Sequence, residues 1–223
     1  MKILDLIAHL LYPWKCVFCE SVLKDTDICH ECEKKLPYTV GDSVAQKFPF
    51  IDKCVSPLYY KDKVRTSVHR YKFGGCPAYS RRYGILMSDC VENNLDCRSI
   101  DVISWIPLSK KRLRQRGYDQ ARLIAEEISS KTGLPCRQLL QKVKNNSAQS
   151  LTRDAKQRRE NVAGVYAMCG QTDVSGLRIL LVDDVVTTGA TMSEAARILR
   201  KAGAKAVYGA AVSYTHLRAH ETD

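Results

Sequence analysis

The stretch that most constrains this chain runs from 178 to 191, Arg-Ile-Leu-Leu-Val-Asp-Asp-Val-Val-Thr-Thr-Gly-Ala-Thr. Its apolar run, Ile179 to Val182, is bounded by charge and predicts a strand buried in a parallel sheet. After a small polar turn, helical periodicity from Met192 to Ala202 ends at Gly203, a typical helix C-cap. A strand, a turn and a helix in this order bring free backbone N–H groups and the positive helix end together. The stretch therefore predicts an anion site.

Two adjacent acids, Asp183 and Asp184, lie between the strand and the turn. Like charges repel, so these carboxylates suit sugar hydroxyls or a hydrated Mg²⁺ beside the anion better than the anion itself. The predicted ligand is a ribose phosphate. The alternative is a strand followed by a capped helix, but a cap needs one such residue rather than two acids and three threonines.

The run resembles the phosphoribosyl-pyrophosphate (PRPP) motif of type I phosphoribosyltransferases: apolar strand, two acids, two variable positions, Thr-Gly, a small residue and Thr. The resemblance implies an α/β fold in which helices flank a mostly parallel sheet. It also implies that Asp183 and Asp184 are the catalytic pair that holds the ribose hydroxyls, and that Mg²⁺ accompanies PRPP. The PRPP-binding residues would be Val185, Val186, Thr187, Thr188, Gly189, Ala190 and Thr191.

Four of the ten cysteines form a pair of CxxC motifs separated by nine residues. Two such knuckles offer Zn²⁺ a closed tetrahedral shell of thiolates, which is the structural kind of site. A redox CxxC or unbonded thiols are the alternatives. The sequence thus predicts a small N-terminal zinc module with the ligands Cys16, Cys19, Cys29 and Cys32. The other six cysteines show no ligand spacing and are predicted to be small apolar fillers of a reduced protein.

The densest basic segment follows a predicted strand, Asp101 to Pro107, and precedes a helix whose apolar positions are Ala121, Ile124, Ala125 and Ile128. A cationic loop at the carboxyl end of a strand lies where open α/β sheets bind ligands, and it could neutralise a departing pyrophosphate. The alternative is a solvated charge run. The predicted pyrophosphate loop comprises Leu108, Ser109, Lys110, Lys111, Arg112, Arg116 and Gly117.

The segment from Lys144 to Val162 is polar, basic and poor in apolar anchors. It predicts a mobile loop followed by a short helix from about Asp154. Such a flap could close over a sugar phosphate or present cations to a nucleic-acid backbone, and the sequence leaves both uses open. The predicted flexible-loop residues are Gln149, Arg153, Arg158, Arg159 and Asn161.

The whole chain is divided into three parts: an N-terminal helix and zinc knuckle (1–50), a phosphoribosyltransferase-like domain (51–213) and an unassigned tail (214–223) that is set aside as foreign. Within it, residues 33–53 are predicted to be a linker. The helix at Val64–Phe73 has a basic face, which is predicted to be solvated, with an extended polyanion track as the alternative; the face comprises Arg65, Arg70 and Lys72. Further elements expected are strands at 54–60, 138–143, 164–169 and 205–213 and a helix at 80–93 with Ile85, Leu86 and Val91 inward.

The excess of 35 Lys and Arg over 24 Asp and Glu gives a net charge of +11, which favours a polyanionic partner or substrate. No apolar run approaches the ~20 residues of a membrane helix. The opening run, Ile3 to Leu11, is short and interrupted by charge, so it predicts an amphipathic helix rather than a signal peptide. We therefore expect a cytoplasmic protein with no membrane span.

The motifs together resemble the ComF family, the phosphoribosyltransferase-like proteins of bacterial competence. The resemblance spans roughly residues 3–213 and includes the CxxC pair, Trp105-Ile-Pro-Leu-Ser109, Arg116-Gly-Tyr-Asp-Gln120 and the PRPP stretch. It implies the handling of incoming single-stranded DNA in natural transformation, with the competence helicase as a further partner. Asp119 departs from the Asn that is usual in the family, which predicts weaker anion binding beside the pyrophosphate loop.

Two other functions fit the same residues. One is a true transferase that moves phosphoribose onto a small base or amine in nucleotide salvage; no base-recognition motif is visible for it. The other is a PRPP-sensing adaptor without catalysis. A DNA binder needs aromatic side chains among its cations for base stacking. The candidates are Tyr59, Tyr60, Tyr71, Phe73, Tyr79, Tyr83 and Tyr118, although core packing explains most tyrosines.

Overall fold

The computed structural model describes residues 14–144 and 164–215. The strands are β1 (Trp14–Lys15), β2 (Val22–Leu23), β3 (Ala45–Phe48), β4 (Ile51–Val55), β5 (Leu58–Tyr59), β6 (Val102–Trp105), β7 (Leu140–Lys142), β8 (Tyr166–Met168), β9 (Arg178–Val186) and β10 (Ala206–Tyr214). The helices are α1 (His30–Lys35), α2 (Asp62–Phe73), α3 (Tyr79–Asn94), α4 (Lys110–Arg116), α5 (Gln120–Thr132) and α6 (Ala190–Lys201).

The central sheet has the order β3-β4-β10-β9-β6, and β5 extends it by pairing with the end of β10. All of these pairings are parallel except that of the edge strand β3 with β4. The predicted α/β fold of the type I phosphoribosyltransferases, with a mostly parallel sheet flanked by helices, is confirmed. Parallel pairing brings the carboxyl ends of β9 and β10 to one edge, where crossover connections place ligand sites.

Strand β9 shows why both sheet faces are covered. Leu180 and Val182 pack into a cluster that includes α2, α3 and α5, whereas Ile179 and Leu181 pack into a second cluster that includes α6. Successive side chains of a strand point to opposite faces, so an uninterrupted apolar run requires helices on both. The apolar run predicted as a buried strand is fully buried, and β9 continues beyond it through the acid pair.

The N-terminal knuckle packs directly on the larger body. Cys16, Val17 and Phe18 belong to the same apolar cluster as Tyr71 of α2 and Tyr83 of α3. The ring centroids of Phe18 and Tyr83 lie 6.2 Å apart in an edge-to-face arrangement. The knuckle therefore shares the apolar cluster that covers one face of the sheet.

Polar contacts reinforce this attachment. Arg70 donates to the carbonyl oxygens of Val17 and Phe18 at 3.2 and 3.0 Å and forms an ion pair with Glu20 at 2.9 Å. The prediction that the basic face of α2 is solvated is therefore wrong at Arg70. The knuckle also receives an ion pair from α3, between Arg82 and Asp27.

Three other expectations are corrected. Residues 33–53 are not a plain linker, because they include the end of α1 and the edge strand β3. The strand expected at 54–60 is interrupted at Ser56–Pro57, between β4 and β5. Strand β10 includes Tyr214, whose Cα pairs with Val186, so the predicted tail begins inside the sheet.

The side chains of α3 follow the predicted pattern only in part: Val91 is fully buried, whereas Ile85 and Leu86 are half-buried. The four apolar positions predicted for α5 are all buried. Among residues 14–144 and 164–215, no helix has both the length and the apolar character that crossing a bilayer requires.

Candidate functional site

The acid pair lies near the carboxyl end of β9. Asp184 is buried, with 9% of its surface exposed, and Asp183 is half-buried. The backbone N–H of Asp184 donates to Oδ1 of Asp183 at 2.8 Å, which fixes the first carboxylate relative to the strand. Two carboxylates side by side at this edge form a compact acidic centre.

A lysine from α2 neutralises part of this charge. Nζ of Lys72 lies 2.8 Å from Oδ1 of Asp184, and the two side chains are 22% and 13% exposed. Lys72 was predicted to lie on a solvated basic face, and that prediction is wrong. The sequence gives no local signal for this contact, since the two residues are separated by more than a hundred positions.

The charge state of the pair depends on its surroundings. Burial, followed by the charge of Asp184, raises the pKa of Asp183 to about 8, against the lowering effect of Lys72. A carboxyl whose pKa lies near neutrality can exchange a proton at physiological pH.

The turn after β9 leads directly into a helix. Gly189 adopts a left-handed φ of 71°, and α6 begins at Ala190. The N–H of Ala190 donates to Oγ1 of Thr188 at 3.4 Å. A Cβ at Gly189 would lie 2.1 Å from the ring of Phe48 on β3, so this glycine is required by its backbone angle and by packing against Phe48.

The predicted pyrophosphate loop is mainly helical. Ser109 caps the start of α4 by accepting from the N–H of Arg112 at 3.3 Å, and Gly117 ends it with a φ of 81°. The expectation of an irregular cationic loop is corrected, because the capping serine and the left-handed glycine enclose seven residues with good helix propensity.

The helix separates the five cations of this segment. Arg112 and Arg116 are half-buried, whereas Lys110, Lys111 and Arg114 are exposed. Positions four apart share a helix face, which explains why Arg112 and Arg116 are both half-buried. Burial lowers the pKa of Arg116, and the charge of Asp184 opposes this shift. Arg116 therefore lies within electrostatic range of Asp184.

Asp119, the departure from the family pattern, has a structural role. Its Oδ1 accepts from the N–H of Arg122 at 3.3 Å and caps α5, and its Oδ2 accepts from the N–H of Leu108 at 3.1 Å. The carboxylate thus joins the two ends of the α4 segment. Burial raises the pKa of Asp119, and those backbone donors oppose the rise.

Two residues of the β7–β8 pair, Lys142 and Tyr166, lie within electrostatic range of Asp183. Nζ of Lys142 lies 5.5 Å from the centroid of the Tyr166 ring. Burial and the charge of Arg112 lower the pKa of Lys142, and Asp183 opposes this. Sequence analysis did not single out Tyr166. The predicted flexible-loop residues Gln149, Arg153, Arg158, Arg159 and Asn161 lie outside the described residues.

The four predicted metal-binding cysteines come together. One sulfur from each of Cys16, Cys19, Cys29 and Cys32 lies within 4.8 Å of every other, so the cluster could hold a metal ion. The N–H groups of Cys29 and Cys32 approach Sγ of Cys16 and Cys29 at 3.4 Å. N–H groups aimed at sulfur stabilise thiolates, as a knuckle around a cation requires. All ten cysteines are free, as expected of a reduced protein.

The environment of the four thiols is uneven. Burial raises the pKa of Cys32 and of Cys29. At Cys19 burial acts in the same direction, but hydrogen bonds from the side chain and backbone of Ser21 outweigh it and lower the pKa to about 6. Nζ of Lys63 lies 3.8 Å from Sγ of Cys32 and supplies a positive charge from α2.

The chain is similar to one protein family and to several known proteins. Residues 119–223 match the phosphoribosyl transferase domain family. The chain is 27% identical to Competence protein F of Haemophilus influenzae over 207 residues, which cover 89% of this chain and 90% of that protein. It is 30% identical to Competence protein ComFC of Bacillus subtilis over 65% of this chain and 56% of that protein. It is 26% identical to the DNA utilization protein YhgH of Salmonella typhimurium over 86% of each.

Proposed function

Since this chain belongs to the ComF family of phosphoribosyltransferase-like proteins, we propose that it binds PRPP with Mg²⁺ and handles single-stranded DNA in bacterial competence. One observation carries the proposal: Lys72 of α2 contacts Asp184 of the acid pair, and the charges of Arg116 and Lys142 act on the pair from two other parts of the chain. This combination of acids and cations suits a ligand that is both a sugar and a polyanion.

Each part of the centre has a chemical role in this proposal. Asp183 and Asp184 accept hydrogen bonds from ribose hydroxyls, and oxygen ligands of this kind also suit a hydrated Mg²⁺. The turn from Thr187 to Thr191 receives the 5′-phosphate at the start of α6. Arg112 and Arg116 neutralise the pyrophosphate.

The cysteine cluster holds Zn²⁺ in this proposal. Four thiolates in a closed shell leave no open coordination position, so the ion is structural. It fixes the knuckle onto α2 and α3, where the apolar cluster continues. The competence helicase remains a prediction of the family resemblance alone.

The exposed cations of α4 support the DNA part of the proposal. Lys110, Lys111 and Arg114 are exposed to solvent and could bind a phosphate backbone, while the half-buried cations of the same helix neutralise pyrophosphate. The relatives' names, competence protein and DNA utilization protein, agree with such a role.

The test is fluorescence anisotropy of a labelled single strand, titrated with protein at several salt concentrations, with and without PRPP·Mg²⁺. We expect affinity to fall steeply with salt because binding releases counterions. Arg114→Gln should reduce the salt slope by about 1, while Lys131→Gln, an exposed lysine at the end of α5, should leave it unchanged. Absence of binding at low salt would overturn the DNA part.

A second function, phosphoribosyl transfer onto a small base or amine, is favoured by the pKa of Asp183. A carboxyl titrating at about 8 could accept the proton of an attacking amine. Pyrophosphate release with a panel of bases and amines tests this function. Binding of PRPP without release under all conditions would instead support the sensing adaptor.

A further inference from the structure

The structure sorts the seven aromatic residues that the sequence offers for base stacking. Tyr71 and Tyr83 are fully buried and Tyr79 is 9% exposed, so these three belong to the core. Phe73 stands apart because 61% of its surface is exposed, although phenylalanine has no polar group to favour water.

Phe73 is connected to the acid pair through its neighbours. It is the last residue of α2, and its neighbour Lys72 holds Asp184 at 2.8 Å. The guanidinium carbon of Arg116 lies 4.8 Å from the centroid of the Phe73 ring. Arg116 also donates to Oε1 of Gln120 at 2.9 Å, which fixes its position under the ring.

The helix supports the ring from a second side. The His69 ring, one turn earlier on α2, has its centroid 4.9 Å from that of Phe73 at an interplanar angle of 47°. An exposed phenylalanine alone is common on protein surfaces. This one is held between a cation and a second ring, and it stands at the edge of a sugar-binding centre.

We propose that Phe73 and Arg116 form a stacking site for a nucleobase next to the ribose-binding acid pair. Every base presents a π face, and aromatic side chains with neighbouring arginines are the usual platform for unpaired bases. The location rests on the proposed function, because the acid pair marks where a sugar would lie. The base is either part of a single strand or a small free base.

The experiment compares two labelled single strands that differ at one central position, 2-aminopurine in one and an abasic site in the other. Affinity is measured by anisotropy, and stacking by quenching of the 2-aminopurine fluorescence, with PRPP·Mg²⁺ present and absent. Wild-type protein should bind the strand with the base about tenfold more tightly, which corresponds to ~1.4 kcal/mol.

Phe73→Ala should remove this preference and the quenching, while the dependence of affinity on salt stays unchanged because no phosphate contact is lost. Phe73→Trp should restore both. Phe50→Ala is the matched control, since Phe50 is 51% exposed on the turn between β3 and β4. Urea denaturation of each variant shows whether the fold is retained.

The free base tests the other source. If wild-type protein binds no strand, but quenches free 2-aminopurine in a Phe73-dependent way with PRPP·Mg²⁺ present, the stacking site stands and the DNA proposal fails. If Phe73→Ala retains the full preference for the strand with the base, the stacking site is wrong even though strand binding stands. Absence of Phe73-dependent quenching in both arms overturns it as well.

Discussion

The cysteine cluster and the acid pair are two dense groups of potential anions in one protein, and they are balanced in opposite ways. The four sulfurs lie within 4.8 Å of one another, and Nζ of Lys63 lies 3.8 Å from one of them. The acid pair has Lys72 in direct contact at 2.8 Å. One cluster is therefore expected to need a metal ion, whereas the other carries much of its counter-charge in the fold.

The two centres also differ in how they are assembled. The cysteines come from a stretch of seventeen residues, 16–32, whose turns bring them together locally. The acid centre combines α2, α4, β7 and β9, which are distant in the chain. Assembly of the cysteine cluster is expected to be coupled to metal binding as its segment folds. The acid centre instead assembles when the strands and helices that carry it pack together.

Breaking the cysteine cluster should have the largest effect. Cys16→Ser removes one ligand and places a hydroxyl in a fully buried position that shares its apolar cluster with Tyr71 and Tyr83. We expect loss of the bound zinc and destabilisation by about 5 kcal/mol, because metal binding in such a knuckle is part of its folding free energy. Elemental analysis and thermal denaturation measure both.

The matched control is Cys169→Ser, which alters a half-buried cysteine outside the cluster. It should retain one zinc per chain and nearly the stability of the wild type. A folded wild-type protein that contains no metal would refute the zinc assignment.

Neutralising Asp183 should strongly weaken ligand binding yet stabilise the fold. Asp183→Asn keeps an oxygen for the N–H of Asp184 and removes a charge that the surroundings of this half-buried side chain disfavour. We expect PRPP affinity to fall at least about 100-fold, comparable to the loss of a charge-assisted hydrogen-bonding group. Calorimetric titration with PRPP·Mg²⁺ measures it, with the exposed Asp173→Asn as control.

The stability of Asp183→Asn should depend on pH in a defined direction. The pKa of Asp183 is raised in the folded protein to about 8, against about 4 in the unfolded chain. Between these values the folded state binds more protons, so wild-type stability falls as pH rises. The variant should therefore exceed the wild type by about 1–3 kcal/mol at pH 8 and by less at pH 5. Equal urea midpoints at pH 8 would show that the fold does not raise the pKa of Asp183.

The same contrast explains how far the sequence could be interpreted. Strand β9, the turn at Gly189 and helix α6 were predictable because apolar run, acids and glycine are contiguous, and the cysteines because their spacing is local. The helical form of the basic segment could also have been found, since Ser109 and Gly117 are ordinary cap residues.

Long-range contacts were not predictable in this way. The basic face of α2 suggested solvated side chains, but Arg70 binds the knuckle and Lys72 binds Asp184. Hydrophobic periodicity identifies which face of a helix is buried, but it does not identify the partners that the basic side chains contact. Asp119 likewise looked like a hindrance to anions, whereas its role as a cap follows from two backbone N–H contacts.

The smallest effect concerns the counter-charge of the acid pair. Lys72→Met removes the cation but keeps most of the aliphatic stem, leaving Asp184, 9% exposed, without this partner. We expect destabilisation by about 1–2 kcal/mol, the usual result of breaking a partly buried pair from one side. Because Lys72 also holds down the pKa of Asp183, that pKa should rise further in the variant, and the loss should be greater at pH 8 than at pH 6. Urea denaturation at both pH values measures it. Lys72→Arg should retain most of the stability, and Lys61→Met, an exposed lysine just before α2, should be neutral. If Lys72→Met were as stable as the wild type at both pH values, the acid pair would not depend on a built-in cation, and the contrast with the cysteine cluster would disappear.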